Sequence, residues 1–111
     1  MKKSLALTLL SVSFVVGTSA GFAATAAENW DNSCAKCHAA DGTGNTKLGK
    51  KYKLKDYTDA KVQADLKDAD LANAIKEGVS EGGKEKMKGF KDELSDTEVA
   101  DLVAYIRKMK K

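Results

Sequence analysis

Two cysteines and one histidine lie together near the start of the chain and are the residues best suited to chemistry. They form the run Cys34-Ala35-Lys36-Cys37-His38, and the chain contains no other cysteine or histidine. Two thiols at this spacing, followed at once by an imidazole, could act as a redox dithiol, contribute to a zinc site, or attach haem covalently as a C-x-x-C-H motif. These three chemistries require different surroundings.

The rest of the sequence favours covalent attachment of haem. A thioredoxin-like dithiol is expected between a strand and a helix, and the chain shows no convincing β-rich run. A structural zinc site takes four ligands, usually cysteine and histidine, whereas this chain offers three such side chains. In haem attachment, the spacing lets two thioethers reach one edge of the porphyrin while the adjacent imidazole reaches the iron.

The lone histidine points to methionine as the second iron ligand. His38 is the only histidine, and a methionine with a histidine is an established pair of haem ligands. Met109 follows Tyr105 at helical spacing and is expected to pack at the end of the last helix. Met87 instead lies in a glycine-rich and lysine-rich stretch without a helical apolar face. We therefore predict Met87 as the ligand, the alternative being a surface methionine that caps the core.

The N-terminus has the order of an export signal. Two lysines precede an apolar run over 5–16, and a small-x-small cleavage site follows at 24–26. The apolar run is shorter than the about 20 residues that a membrane-spanning helix needs. We predict a cleavable signal peptide over 1–26 and a mature domain over 27–111, exported to a bacterial periplasm and without stable membrane insertion.

The predicted mature domain is small and nearly neutral. Cleavage after residue 26 leaves 85 residues, and loss of the two leader lysines leaves 17 basic against 16 acidic side chains. This balance argues against nucleic acid as a partner, because nucleic-acid-binding domains are usually strongly basic. Domains of this size often need a disulfide, a metal or another cofactor for stability, and the predicted haem would supply that support.

The remainder of the chain predicts helices and no strand, so the expected fold class is all-α. The predicted helices begin near Trp30, at Thr58, at Asp68 and at Ser95. The last of these has a capping box from Ser95 to Glu98, followed by apolar residues at helical spacing. The glycine-bearing stretches over 42–49 and 78–89 are predicted as loops.

These features together resemble the class I cytochromes c, which are small electron carriers. The likeness lies in the aromatic residue before the C-x-x-C-H motif, the runs CHAADGTGN and MKGF, and the closing LVAYIRKMKK helix. The resemblance implies a small all-α cytochrome c fold with about four short helices around one covalently bound haem c. It also implies that the N-terminal and C-terminal helices cross, with Trp30 packed against Leu102 and Tyr105.

The resemblance assigns a role to each site residue. Cys34 and Cys37 are the thioether residues, His38 is the proximal iron ligand and Met87 is the distal ligand. Many family members orient the proximal histidine with a proline carbonyl, but this chain has no proline. Because ligating histidines usually donate their other ring N–H, we expect a backbone carbonyl near residues 48–49 to accept it.

Filled axial positions imply electron transfer between redox protein partners, not enzymatic catalysis. Lysines on both sides of the site are expected to frame the haem edge and attract a partner with an acidic docking surface. They are Lys36, Lys47, Lys50 and Lys51 on one side and Lys84, Lys86, Lys88 and Lys91 on the other. Two alternatives stay open: a haem protein with a displaceable sixth ligand, such as a peroxidase or gas sensor, and a haem domain fixed in a larger complex.

Overall fold

The computed structural model describes residues 11–13 and 24–111. Most of the predicted signal peptide lies outside the described residues. Six helices and a two-stranded sheet follow one another: α1 Ala26–Ser33, α2 Ala35–His38, α3 Lys47–Tyr52, α4 Ala60–Asp65, α5 Asp68–Glu77, β1 Val79–Glu81, β2 Lys84–Met87 and α6 Asp96–Arg107. In this part of the chain, no helix is long and apolar enough to cross a membrane.

The first and last helices pack against each other and form the centre of the core. Trp30 of α1 is about 1% exposed, and its ring centroid lies 5.9 Å from that of Tyr105 on α6. Leu102 is buried in the same cluster. Asn29 Nδ2 donates a 2.9 Å hydrogen bond to Glu98 Oε2, which joins the two helices beside this core. The predicted all-α fold and the predicted packing of Trp30 are confirmed.

Polar side chains at the N-caps decide where most helices begin. Thr25, Thr46, Asp59 and Ser95 each accept a hydrogen bond from a backbone N–H in the first turn of the helix that follows. Each thereby satisfies a donor that has no partner within the helix. Ser95 and Glu98 form the predicted capping box, and α5 ends at Gly78, whose φ of +78° is one that glycine adopts readily.

Two predictions of loops were wrong in part. The stretch 42–49 runs into α3, which is six residues long and too short to show an apolar period. The stretch 78–89 contains the antiparallel hairpin β1–β2, whose two central residues, Gly82 and Gly83, have φ of +59° and +78°. A two-residue type I′ turn requires this sign at both positions. The strands were missed because they are short and polar, and they place Met87 at the end of β2.

The loop after α2 approaches α3 so closely that only glycine fits at position 49. Thr46 Oγ1 donates to the Cys37 carbonyl at 2.6 Å and accepts from Gly49 N–H at 2.8 Å. A Cβ atom added to Gly49 would lie 2.0 Å from the Gly44 carbonyl oxygen and 2.8 Å from that of Cys37. Both neighbours are backbone atoms, so neither can rotate away.

Arg107 and Gln63 tie the C-terminal end of α6 to α4 and α5. The Arg107 guanidinium donates to the carbonyls of Gln63 and Leu66 and to the carboxylate of Asp68, at 2.6 to 2.7 Å. Gln63, about 6% exposed, donates through Nε2 to the carbonyls of Tyr57 (2.7 Å) and Ile106 (2.9 Å). These bonds join segments about forty residues apart in the chain, which sequence periodicity does not report.

The Asn29–Glu98 bond makes the stability of the helix pair depend on pH. This bond and the Ser95 backbone N–H hold the pKa of Glu98 below its ordinary value of 4.5. Their stabilising contribution is therefore complete above pH 4.5 and declines as the pH falls through the lower folded pKa. We expect Asn29→Ala to lower the melting temperature by several degrees at pH 7 and by less near pH 3, measured by circular dichroism of the holoprotein.

The matched control for this prediction is Glu98→Gln. Glutamine can keep the capping box but does not titrate, so in this background the effect of Asn29→Ala should be the same at pH 7 and pH 3. A deficit that grows on acidification in the wild-type background would contradict the assigned role of Glu98.

Gly49→Ala should destabilise the protein by about 3 kcal/mol, because its Cβ overlaps backbone that cannot move freely. Gly82→Ala is the control, since nothing lies within 4 Å of its added Cβ, although its φ of +59° is itself unfavourable for alanine, unlike that of Gly49. The control should cost only about 1 kcal/mol. Denaturant titration of both holoproteins measures the difference, and equal losses would show that crowding at Gly49 is relieved by backbone movement.

Candidate functional site

A cavity of about 500 Å³ opens beside α2 and contains the predicted site residues. Cys34, Cys37 and His38 line it from the first part of the chain, and Met87 lines it from the end of β2. A smaller cavity of about 30 Å³, lined by Cys34, His38 and Met87 among others, continues inward toward Trp30. The larger volume falls within the range of about 300–1,000 Å³ that small-molecule and cofactor sites commonly have.

Hydrogen bonds to three successive carbonyls hold the C-x-x-C-H segment in place. Thr46 Oγ1 donates to Cys37 O, Gly44 N–H donates to His38 O at 2.8 Å, and Trp30 Nε1 donates to Ala39 O at 3.0 Å. Carbonyls at the end of a helix have no partner within it, so these bonds replace what the short α2 cannot supply. The donors come from α1 and from the loop that follows α2.

The environment of the thiols does not resemble that of a reactive dithiol. Burial raises the pKa of Cys34 to about 11, and the neighbouring Cys37 adds to the shift. Catalytic redox cysteines have a lowered pKa, because the thiolate is the nucleophile. The described residues also contain no cluster of three His, Cys, Asp or Glu side chains that could hold a metal ion. The dithiol and zinc interpretations therefore gain no support from the site.

His38 is held neutral in an aromatic environment. Burial lowers the pKa of its imidazole, and neutral imidazole is the form that binds metals. Its ring centroid lies 5.3 Å from that of Tyr57, with an angle of 19° between the planes, and 5.6 Å from that of Trp30. Its Nδ1 is buried without a hydrogen-bond partner among the described residues.

The expectation that a carbonyl near residues 48–49 accepts the His38 N–H was therefore wrong. The Gly49 carbonyl accepts instead from the backbone N–H of Leu54 at 2.9 Å. The backbone at Gly49 lies against the carbonyls of Gly44 and Cys37. The described rings that lie beside the His38 imidazole are those of Tyr57 and Trp30.

The structure separates the two candidate methionines. Met87 is half-buried and lines both cavities. A Cβ at Gly78 would lie only 2.4 Å from the Met87 carbonyl oxygen, so glycine allows the end of α5 to approach β2. Met109 lines neither cavity, and its Sδ lies where a Cβ on Gly42 would fall, at 2.3 Å. Met109 thus packs at the end of α6, as its spacing indicates.

Only part of the predicted lysine surface lies at the cavity. Lys86 and Lys88 line it, but they pair with Glu81 and Glu93, and Lys91 pairs with Glu77. The other predicted lysines are absent from the cavity lining.

The cavity is also lined by two lysines and several apolar residues that no sequence motif marks. Lys53 and Lys55 lie there, and no ion pair within 11–13 and 24–111 involves either of them. The apolar residues are Leu54, Leu66, Ala74, Val79 and Phe90. They come from five separate segments, so no local pattern marks them.

The donor set and the cavity together fit a flat, largely apolar group that is attached through two sulfur atoms and ligated by nitrogen and sulfur. Both thiols line the cavity with an imidazole and a thioether. Much of the remaining wall is apolar, as a porphyrin face requires.

Comparisons with known proteins identify the family. The family model for cytochrome c matches residues 23–110. Among solved structures, the KustC0563 c-type cytochrome is 32% identical with a TM-score of 0.70, and the alignment covers 79% of this chain and all of that one. A tyrosine-to-phenylalanine mutant of Kustc0563 is 31% identical, with a TM-score of 0.68 and coverage of 78% and 100%. No curated protein sequence matches. The chain therefore belongs to the cytochrome c family, whose members carry electrons on covalently attached haem c.

Proposed function

We propose that this protein is an exported one-electron carrier with His/Met-ligated haem c. Cys34 and Cys37 form the thioethers, His38 is the proximal ligand and Met87 is the distal ligand. The observation that carries this proposal is that all four side chains line one cavity of suitable volume. When bound, the haem supplies an iron centre that alternates between the ferric and ferrous states.

Each site residue has a separate task in this proposal. The two thiols fix the group covalently, so it stays attached when the protein unfolds. His38 is kept in the neutral form by burial, which leaves the imidazole able to ligate. Met87 offers a soft thioether, which favours the ferrous state and raises the reduction potential. The apolar walls, which include Leu66 and Phe90, limit the access of water.

Two protein ligands would leave the iron without a free position, so the protein is proposed as a carrier and not as an enzyme. A peroxidase or gas sensor needs a position that a small molecule can occupy. Met87 is held on a strand that pairs with β1, and its carbonyl packs so close to Gly78 that a Cβ there would lie only 2.4 Å away. This anchoring favours a ligand that stays in place.

Positive charge at the cavity supports a partner with an acidic surface. Four lysines line the cavity: Lys53, Lys55, Lys86 and Lys88. Because Lys86 and Lys88 already form ion pairs within the chain, we propose that Lys53 and Lys55 contribute most of the attraction. Opposite charges steer the encounter of two redox proteins chiefly by raising the association rate.

Export through a cleaved signal over 1–26 remains part of the proposal, because haem attachment of this kind takes place outside the bacterial cytoplasm. The mature domain would then begin at residue 27. The N-cap of α1 is Thr25, whose side chain accepts from Glu28 N–H. Cleavage after residue 26 would remove this cap, which typically contributes about 1 kcal/mol, so the proposed boundary carries a small cost in stability.

Replacement of Met87 tests the ligand and the carrier function together. Met87→Ala should abolish the weak far-red absorption band of methionine-bound ferric iron, lower the reduction potential and let the reduced protein bind carbon monoxide. Met109→Ala should leave all three unchanged and cost about 1–2 kcal/mol, less than at a fully buried site. Absorption spectra and potentiometry of the two holoproteins measure these effects.

Carbon monoxide binding by the wild-type protein would contradict the assignment of Met87. If the wild type binds carbon monoxide readily when reduced, and its spectrum matches that of Met87→Ala, then Met87 is not a ligand. The interpretation as an open haem protein would then replace the carrier proposal.

The proposed docking charge can be tested with a small anionic oxidant, hexacyanoferrate(III). Its second-order rate with the reduced protein should fall as ionic strength rises, since the Debye length shortens to about 10 Å at 0.1 M. At low salt, the double variant Lys53→Gln/Lys55→Gln should react several-fold more slowly than the wild type. The control Lys47→Gln/Lys50→Gln removes the same charge away from the cavity and should have a smaller effect. Equal losses would show that only net charge matters.

A further inference from the structure

No described residue supplies the His38 imidazole with the hydrogen bond that usually orients a ligating histidine. Metal-bound histidines almost always donate their second ring N–H to a carbonyl, carboxylate or water, which fixes the ring plane. Here Nδ1 of His38 is buried, and none of the described residues provides an acceptor. The chain also has no proline to supply one from the position used by many relatives. Among the described residues, the contacts that can restrain rotation of the ring are therefore those with neighbouring rings.

Tyr57 provides the most parallel contact with the imidazole. The planes of the two rings are 19° apart and their centroids are separated by 5.3 Å. Trp30 also lies close, but its plane is tilted by 41° from that of His38. A nearly parallel neighbour resists rotation of the imidazole, because rotation would drive the ring edge into the face of the tyrosine. Such ring contacts typically contribute about 0.5–1.5 kcal/mol beyond their buried area.

The backbone of Tyr57 is fixed on both sides. Its N–H donates to the Gly42 carbonyl at 2.9 Å, and its carbonyl accepts from Gln63 Nε2 at 2.7 Å. Gly42 lies only four residues beyond His38, so one of these bonds ties the tyrosine to the segment that carries the ligand. Gln63 is itself held by the Ile106 carbonyl and by Arg107. The ring of Tyr57 therefore belongs to the same rigid frame as the imidazole.

We propose that Tyr57 is a positioning residue that sets the plane of the His38 imidazole through ring stacking, in place of a hydrogen bond to Nδ1. This inference rests on the proposed role of His38 as the proximal iron ligand. The phenol hydroxyl is not required, since the ring face makes the contact. Gln63 contributes indirectly, because it holds the backbone of Tyr57 through a hydrogen bond to the Tyr57 carbonyl.

The orientation of an axial imidazole can be observed directly in the oxidised protein. The plane of the ring, together with the orientation of the methionine sulfur, determines how unpaired electron density is distributed over the porphyrin, and the four haem-methyl proton shifts report that distribution. A residue that contributes only to stability would alter the melting temperature but leave these shifts unchanged. The shifts therefore separate a positioning role from a structural one.

The experiment compares variants of the holoprotein by proton NMR and electron paramagnetic resonance. Tyr57→Phe keeps the ring and should retain the wild-type pattern of methyl shifts. Tyr57→Leu removes the ring and should change the spread and order of the methyl shifts. It should also broaden the electron paramagnetic resonance signals, because the imidazole plane is then less uniform. Tyr57→Met serves as a second variant without a planar ring, in case leucine impairs folding. Tyr105→Leu is the matched control, because Tyr105 contacts Trp30 at 5.9 Å within the same aromatic group.

The possible results distinguish this inference from the proposed function. Wild-type shifts in both non-aromatic variants, or an equal change in Tyr105→Leu, would overturn the role of Tyr57. A changed pattern in Tyr57→Phe would show that the hydroxyl, and not the ring face, is responsible, and would overturn it as well. Failure of the proposed function has a different sign: the oxidised wild-type protein would lack the far-red absorption band of methionine-bound iron.

Discussion

The burial of Trp30 is the interaction on which the rest of the structure depends. Its ring fills the contact between α1 and α6, and its Nε1 donates to the Ala39 carbonyl just beyond the C-x-x-C-H segment. The same ring lies beside His38 and Tyr105. One side chain therefore couples the packing of the terminal helices to the position of the C-x-x-C-H segment. Because an indole must satisfy its N–H when buried, the location of that carbonyl is constrained too.

Around this centre, the site is built by backbone atoms as much as by side chains. The carbonyls of Cys37 and His38 accept hydrogen bonds from the loop that follows them, and glycine at position 49 leaves room for that loop. Met87 is presented by a hairpin whose turn depends on two residues with positive φ. The cavity thus lies between two segments with fixed backbones, which suits a centre that should change little when it gains or loses an electron.

The positive charge that matters for the proposed function is confined to a small region at the cavity. Nearly equal numbers of acidic and basic residues in the proposed mature domain leave little net charge, and three of the predicted lysines are neutralised by nearby glutamates. Lys53 and Lys55 are at the cavity without such pairs in the described part of the chain. In the proposed carrier, charge of this kind acts on the orientation of a partner near the cavity, because long-range attraction is screened within about 10 Å at 0.1 M salt.

The sequence by itself determined the chemistry and the main helices. The C-x-x-C-H run restricts the cofactor because covalent attachment needs that fixed spacing, and the capping box and apolar period of α6 are local signals that survive into the structure. The placement of Met109 at the end of α6 was also predictable, since it follows from helical spacing. The β1–β2 hairpin is local too, but its strands are short and polar and show no apolar alternation, so it was not predicted. Only the tertiary structure decided which segments line the cavity, the lack of a partner for His38 Nδ1 among the described residues and the stacking of Tyr57 on His38. These features depend on contacts between separate segments, which no local period encodes.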